Sequence, residues 1–331
     1  MLKVAMLSAW HVHAFGYANE FAARDDVQIT CVWDDDIQRG SDWANDLGCD
    51  FEADLDTLLA RDDVDAVCCC TATNIHKEVL IKAARAGKHI FTEKVLAPTY
   101  AEANEIADEI KKAGVKFCIS YPHRTRADVL FAKKAVDEGW LGKVNYLRIR
   151  NAHNGLSAGW LPPHFLDPVP TCGGAMMDLG AHGMYIPAFI LGKPVKVTSM
   201  FNNLIDTCEV EDNAISVIEF ENKAIAVSET GFVTGCSPFQ LEVSGTDGTV
   251  LFSDDRDGVM IKSSIYEASK GEWVKAEIGE GLPSAIDQFV NGVLNGGEIV
   301  FGIDDALVLS LLMDGAYRAY KEQRTVSFDE I

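Results

Sequence analysis

A chain of 331 residues exceeds what one hydrophobic core usually supports, so two domains are expected, and 48% apolar with 24% charged residues excludes a disordered chain. The formal net charge of −21 repels phosphate backbones and anionic headgroups, which argues against nucleic-acid and membrane partners. The nine cysteines show no CxxC and no framework spacing; with a start that reads as a strand and no apolar run near the roughly 18 residues of a membrane helix, they predict reduced thiols in a soluble cytoplasmic protein. Cys68, Cys69 and Cys70 are consecutive. In a strand they alternate between faces, and no metal site is expected from them.

In chain order, the apolar run at residues 3–7 predicts a buried first strand, 8–13 a turn and 12–24 a helix. Strands follow at 27–33, 65–70, 89–92 and 115–120. Helices are expected at 37–47, 55–59, 75–86 and 100–113. This alternation predicts a doubly wound parallel sheet, the α/β class of the Rossmann domain. Near residue 122 the rhythm changes. After a helix at 127–138 come strands at 144–150, 195–201, 214–220, 224–228, 240–244, 250–252 and 260–262. Asn222-Lys223 and Asp247-Gly248 read as hairpin turns. Strand after strand predicts an α+β domain with a large, mostly antiparallel open sheet, closed by helices at 285–294 and 304–320. The expected domains are 1–122 and 123–331. Residues 153–171, carrying Pro162, Pro163, Pro168 and Pro170, read as a long loop without structure of its own. Such a loop is functional or lies at an oligomer interface, and Trp160, His164 and Phe165 are its candidate contacts, the first two with substrate.

Four stretches in the first domain sit where a doubly wound sheet binds ligands. The turn after the first strand has Ser8, Trp10 and His13 where a dinucleotide fingerprint has glycines. Ser8, Trp10, His11 and His13 are nonetheless its candidate phosphate contacts. Asp34 ends the second strand, where an acid takes the ribose hydroxyls, and with Asp35 and Asp36 it favours NAD over NADP; the plain alternative is a solvated acidic turn. Thr71, Thr73, Asn74 and His76 follow the third strand, and Glu93-Lys94 the fourth. The latter pair reads either as a surface ion pair or as a lysine able to polarise a substrate oxygen. In the second domain, Gly173-Gly174 opens an apolar run holding Asp178 and His182. If helical, that run puts both on one face, as an acid/base pair or as a buried helix with a hydrogen-bonded histidine. His123 and Arg124 either reach the pocket or start a solvated helix. Tyr185 adds an aromatic hydroxyl.

Taken in order, Thr71-x-Thr73-Asn74-x-His76, Glu93-Lys94-x-Leu96-Ala97 and Gly173-Gly174 with Asp178-Leu179-Gly180-x-His182 resemble the motif series of the Gfo/Idh/MocA oxidoreductase family. The resemblance extends through Glu211-Asp212-Asn213-Ala214, Ser244 to Thr249 and Asp304-Asp305-Ala306-Leu307, essentially the whole chain. It implies a nicotinamide-binding Rossmann domain, a homo-oligomer (dimer or tetramer), and oxidation or reduction of sugars, cyclitols or polyols. Lys94 then corresponds to the lysine contacting nicotinamide ribose and substrate, Asp178 to the substrate-binding acid and His182 to the proton-transferring residue. Thr71, Asn74, His76 and Glu93 fall at cofactor-contacting positions. The family's Glu-Lys-Pro is Glu93-Lys94-Val95 here, and with valine a cis bond is not expected at that point. Two other outcomes fit the same residues: glycoside cleavage through a transient keto-sugar, and a non-catalytic NAD- or sugar-sensing regulator.

Overall fold

The computed structural model describes residues 1–331. The chain forms two compact units, Met1–Tyr121 with Pro283–Ser310, and Pro122–Leu282 with Leu311–Ile331.

The first unit is built on six parallel strands: β1 Leu2–Leu7, β2 Val27–Trp33, β3 Asp50–Phe51, β4 Ala66–Cys69, β5 His89–Thr92 and β6 Phe117–Ile119. Their order is β3-β2-β1-β4-β5-β6, so the strand order reverses beside β1, the place where such sheets bind ligands. Buried apolar runs make these strands; β4 is buried at all four positions. The short β3 lies among acids with no apolar run to announce it. The helix over Ile37–Leu47 starts at Asp36, whose carboxylate accepts the Gln38 and Arg39 amides, and ends at Gly48 with φ +67°. One member of the acidic triplet is therefore a helix cap.

Residues 283–310 pack with this unit, although their place in the chain put them in the second expected domain. The helix Ala285–Asn295 buries Ile286, Phe289 and Val290. Phe289 lies 5.8 Å from Phe91 of β5, and Arg24 pairs with Asp287. An apolar helix face binds wherever a complementary surface is open, and sequence order does not disclose which.

The second unit carries a nine-stranded sheet: β7 Val144–Ala152, β8 Pro194–Asn202, β9 Asn213–Phe220, β10 Ile225–Gly231, β11 Gln240–Gly245, β12 Gly248–Ser253, β13 Met260–Ser263, β14 Val274–Lys275 and β15 Val326–Ser327. The order is β14-β13-β12-β11-β7-β10-β9-β8-β15, antiparallel throughout except where β7 meets β10. Asn222-Lys223 joins β9 to β10, with Lys223 at φ +72°. The loop expected over 153–171 is not structureless. It contains a 3-10 turn at Pro163–Leu166 and a short helix at Pro168–Thr171, which Asp167 caps through the Val169 amide. Pro162, Pro163 and Pro168 stand at or beside a helix start, where a missing N–H costs nothing.

The run after Gly173-Gly174 is a π-helical turn at Met176–Gly180 that continues as the α-helix Ala181–Leu191. That helix is apolar nearly all round and packs on the sheet. A side chain at Gly183 would fall on the Ser228 hydroxyl of β10, so glycine is required for the approach. No helix of the chain is long and apolar enough to cross a membrane.

Candidate active site

At the first strand-turn-helix, Ser8 has φ +69°, so it adopts the left-handed turn that glycine usually supplies. Its hydroxyl donates to Asp34 (3.1 Å) and accepts from the Trp10 amide (3.1 Å). The Ala9 and Asp36 amides reach the same carboxylate at 2.9 and 3.0 Å, and the Arg39 guanidinium spans both its oxygens, with Nε at 2.9 Å. Asp34 is only 1% exposed and is not part of a solvated turn. Burial raises its pKa, but the Arg39 and amide hydrogen bonds outweigh that and leave it below the ordinary value. Burial and the Asp34 charge push Asp35 the other way. The Trp10 indole is turned inward and buried, so the residue offers backbone rather than side chain to the loop. A left-handed turn after β1 and an ionised, buried acid ending β2 fit a nicotinamide dinucleotide: Ser8 for the turn, Asp34 for the adenosine ribose.

Beyond β4, Thr71 and Thr73 are buried and Asn74 is exposed. His76 is 1% exposed, and its ring nitrogens face the Val95 carbonyl at 2.8 Å and the Thr71 carbonyl at 3.2 Å. Burial, outweighing the two carbonyls, lowers its pKa. A neutral ring carries one N–H, so it donates to one of these two carbonyls at a time.

Glu93 and Lys94 are both buried, with Nζ 4.0 Å from Oε1, so the surface-pair reading does not hold. The Lys94–Val95 peptide is cis, contrary to the expectation from valine; the Val95 carbonyl that follows is the one His76 holds. Tyr17 donates to Glu93 Oε2 and also binds the Ser120 hydroxyl at 2.7 Å, while His13 Nδ1 lies 3.3 Å from the same carboxylate oxygen. His11 is buried and His13 half-exposed. Burial works to raise the Glu93 pKa, but His11, His13 and Lys94 together hold it well below its ordinary value of 4.5. A carboxylate depressed in the folded state stabilises the fold above its unfolded pKa, and that contribution disappears as the pH falls toward the folded value. The stability gap between wild type and Glu93→Gln is therefore expected to be constant near neutrality and to shrink below about pH 4.5. Denaturant unfolding from pH 7 to pH 3 measures it, and a gap that widens in acid would contradict the assignment.

In the second unit, Glu211 organises the start of the Asp178/His182 run. Its Oε1 accepts from the Gly174 amide (2.9 Å), the Met176 amide (3.1 Å) and the Tyr317 hydroxyl (2.5 Å). Its carbonyl takes the Ala175 amide at 2.8 Å. A side chain on Gly174 would collide with that carbonyl, and one on Gly173 with the Tyr317 hydroxyl. The neighbouring Asp212 accepts from the Leu204 and Ile205 amides, both at 2.8 Å.

Residues 176–180 form a π turn that leads directly into the α-helix, so the run is helical without being α-helical throughout. The wider turn projects side chains at a different angle, and such turns recur at functional sites. His182 is 5% exposed and its Nδ1 is 2.7 Å from the Tyr185 hydroxyl, which also accepts the His123 amide at 3.3 Å. The His123 ring meets His182 edge-on at 4.5 Å and stacks on Phe239 at 4.8 Å. Asp178 is half-buried, and its charge opposes the burial that lowers the His153 pKa.

Arg124 and its neighbours do not form a solvated helix start. Arg124 is buried with its guanidinium 4.4 Å over Phe189, and Arg126 is committed to Asp128 and Asp254. Trp160 is 56% exposed, its Nε1 on Asn154 (3.3 Å) and its ring beside His153; His164 is half-buried beside Phe165. Reading the sequence passed over Tyr17 and Tyr317, and named Glu211 only as part of a resembling motif, without a role. Tyr17 stood one helical turn after His13, a spacing that could have pointed to it; Tyr317 had no local signal.

A Rossmann unit with a buried acid ending its second strand, and a second unit with an anchored histidine on an irregular helix, define an oxidoreductase of the nicotinamide-dependent class. Residues 12–121 match the oxidoreductase family with NAD-binding Rossmann fold, and residues 129–251 match the GFO/IDH/MocA C-terminal domain. The chain belongs to the Gfo/Idh/MocA oxidoreductase family. It is 26% identical over 284 residues to a myo-inositol 2-dehydrogenase of Thermotoga maritima, covering 83% of each chain. It is 31% identical over 220 residues to a 2,7-anhydro-N-acetylneuraminate hydratase of Mediterraneibacter gnavus, covering 65% of this chain and 58% of the relative. The crystal structure of GenD2 from gentamicin A biosynthesis in complex with NAD superposes with a TM-score of 0.84 at 25% identity, over 98% of this chain and 96% of that one.

Proposed function

We propose that the protein oxidises or reduces a secondary alcohol of a sugar, cyclitol or related polyol with NAD. The observation that carries this reading is the His182 imidazole, buried and held at Nδ1 by Tyr185, in a chain whose first unit is an NAD-binding Rossmann domain. Bound NAD would supply the hydride acceptor. His182 Nε2 takes the hydroxyl proton as the carbon is oxidised, and returns it in reduction. Asp178 binds substrate hydroxyls. Lys94 holds the reacting oxygen, its ammonium steadied by Glu93. Ser8, Trp10, His11, His13, Thr71, Thr73 and Asn74 lie along the cofactor, with His76 holding the loops that carry them. His123, Arg124, Trp160 and His164 border the substrate. The Tyr185 hydroxyl acts through His182 rather than on the substrate.

Asp34 carries a preference for NAD over NADP, since an ionised acid repels a 2′-phosphate. Arg39 would attract one, but its guanidinium is bound to Asp34 and Asp35. The exposed apolar side chains Met200, Ile215, Val217 and Ile225 on one face of the second sheet support a homo-oligomer, dimer or tetramer. The net charge and free thiols support a cytoplasmic location.

A panel of sugars, cyclitols and glycosides with NAD or NADP, read by absorbance of the reduced cofactor, tests the reading. Stoichiometric reduced cofactor is expected with at least one polyol. In the same assay Asp34→Ala should lower the NAD-to-NADP ratio of kcat/KM by roughly tenfold or more, the worth of one hydrogen bond to a charged group; an unchanged ratio would remove Asp34 from cofactor choice. One relative is named a hydratase, which favours a second reading in which a transient oxidation leaves no net reduced cofactor. Product formation without accumulating NADH would select it.

A further inference from the structure

The side chains around the turn after β1 have a geometry that the hydride-transfer reading does not require. His11, His13 and Glu93 each present one ligand atom, and the three atoms lie within 4.8 Å of one another. We propose that they form a site for one divalent transition-metal ion of the zinc class.

One of the three separations already suits a small ion. Ligands about 2.0–2.1 Å from a tetrahedral zinc stand about 3.3 Å apart, and His13 Nδ1 is 3.3 Å from Glu93 Oε2. The His11 and His13 rings are 4.6 Å apart at a tilt of 58°, converging on that carboxylate without stacking. The ligand set is two imidazoles and one carboxylate, which selects zinc, cobalt or iron over magnesium or calcium. Three protein ligands leave one position for water or another oxygen.

The surroundings are built to hold the set. The His11 amide is bound to the Cys70 carbonyl (3.1 Å) and the Ala14 amide to the His11 carbonyl (3.0 Å), so the backbone carrying the His-x-His pair is fixed on both sides. Glu93 is buried, and its amide is tied to the Cys69 carbonyl at 2.9 Å. Tyr17, itself bound to Ser120, donates to Glu93 as an outer partner that orients a ligating carboxylate. Lys94 is the nearby cation that would repel an ion, but it stands by Oε1, the oxygen opposite the one His13 approaches. The competing reading is a plain histidine–carboxylate hydrogen bond.

Titration of the chelator-treated full chain with Zn²⁺, followed by calorimetry, separates the two, with metal content and Co²⁺ absorption as second readouts. One ion per chain is expected. His13→Ala, a half-exposed position that should fold, is expected to weaken binding by at least roughly 100-fold, and Tyr17→Phe by roughly 10-fold, within the usual range for an outer partner. His89→Ala, an imidazole elsewhere in the same unit, should bind as wild type does. His13→Gln serves if the alanine variant does not fold. Absence of saturable binding by the wild type, or wild-type affinity in a folded His13 variant, would overturn the proposal. Because the readout is metal binding, it stands or falls separately from the dehydrogenase assay.

Discussion

Replacing His182 with alanine is expected to lower kcat by roughly 10²–10⁴-fold, the usual contribution of a positioned acid/base, while the affinity for NAD stays unchanged. The effect should be large because the ring is already committed in the folded protein. Tyr185 holds Nδ1 at 2.7 Å, and the ring packs edge-on to His123, which lies flat on Phe239. Tyr185→Phe keeps the ring and loses the anchor, so it should cost less activity and shift a limb of the pH–rate profile. A merely structural Tyr185 would lower stability and leave the limb in place. Steady-state rates with cofactor titration decide the first point, and a His182→Ala enzyme of normal turnover would end the assignment.

Glu211→Ala is the second large effect, and it falls on stability. The substitution leaves the Gly174 amide, the Met176 amide and the Tyr317 hydroxyl without their acceptor. Each buried donor left unsatisfied costs about 1–3 kcal/mol. Burial raises the Glu211 pKa, so keeping the carboxylate there has its own cost, and the loss should sit near the lower end, about 3 kcal/mol. Gly174→Ala strikes the same place from the other side, because the new methyl collides with the Glu211 carbonyl. Urea unfolding measures both. A Glu211→Ala loss below about 1 kcal/mol would show that the helix start does not depend on this carboxylate.

Much of this was legible from residue patterns. The helix at 37–47 and the strand at 27–33 have the expected bounds, because apolar periodicity and capping residues agree there. The ordered motifs marked the family, which the models of both its domains match. What stayed hidden depends on long-range packing. The π turn at Met176–Gly180 arises where Glu211, distant in sequence, draws in the Gly174 and Met176 amides. The partnership of Asp34 with Arg39 is a matter of side-chain direction, and the acidic triplet alone spoke only of charge. The shared interest of His11, His13 and Glu93 in one point joins residues eighty positions apart.

The return of Pro283–Ser310 to the first unit sets an order of events at the ribosome. When Tyr121 has emerged, the parallel sheet exists in sequence but Phe91 still lacks Phe289, and Arg24 lacks Asp287. The nascent Rossmann unit must wait for more than 160 further residues, with apolar surface open to chaperones or to a wrong partner. The second unit, whose sheet is nearly complete before residue 283, can form in that interval. A fragment ending at residue 121 is therefore expected to be recovered as an aggregating species rather than as a small stable domain.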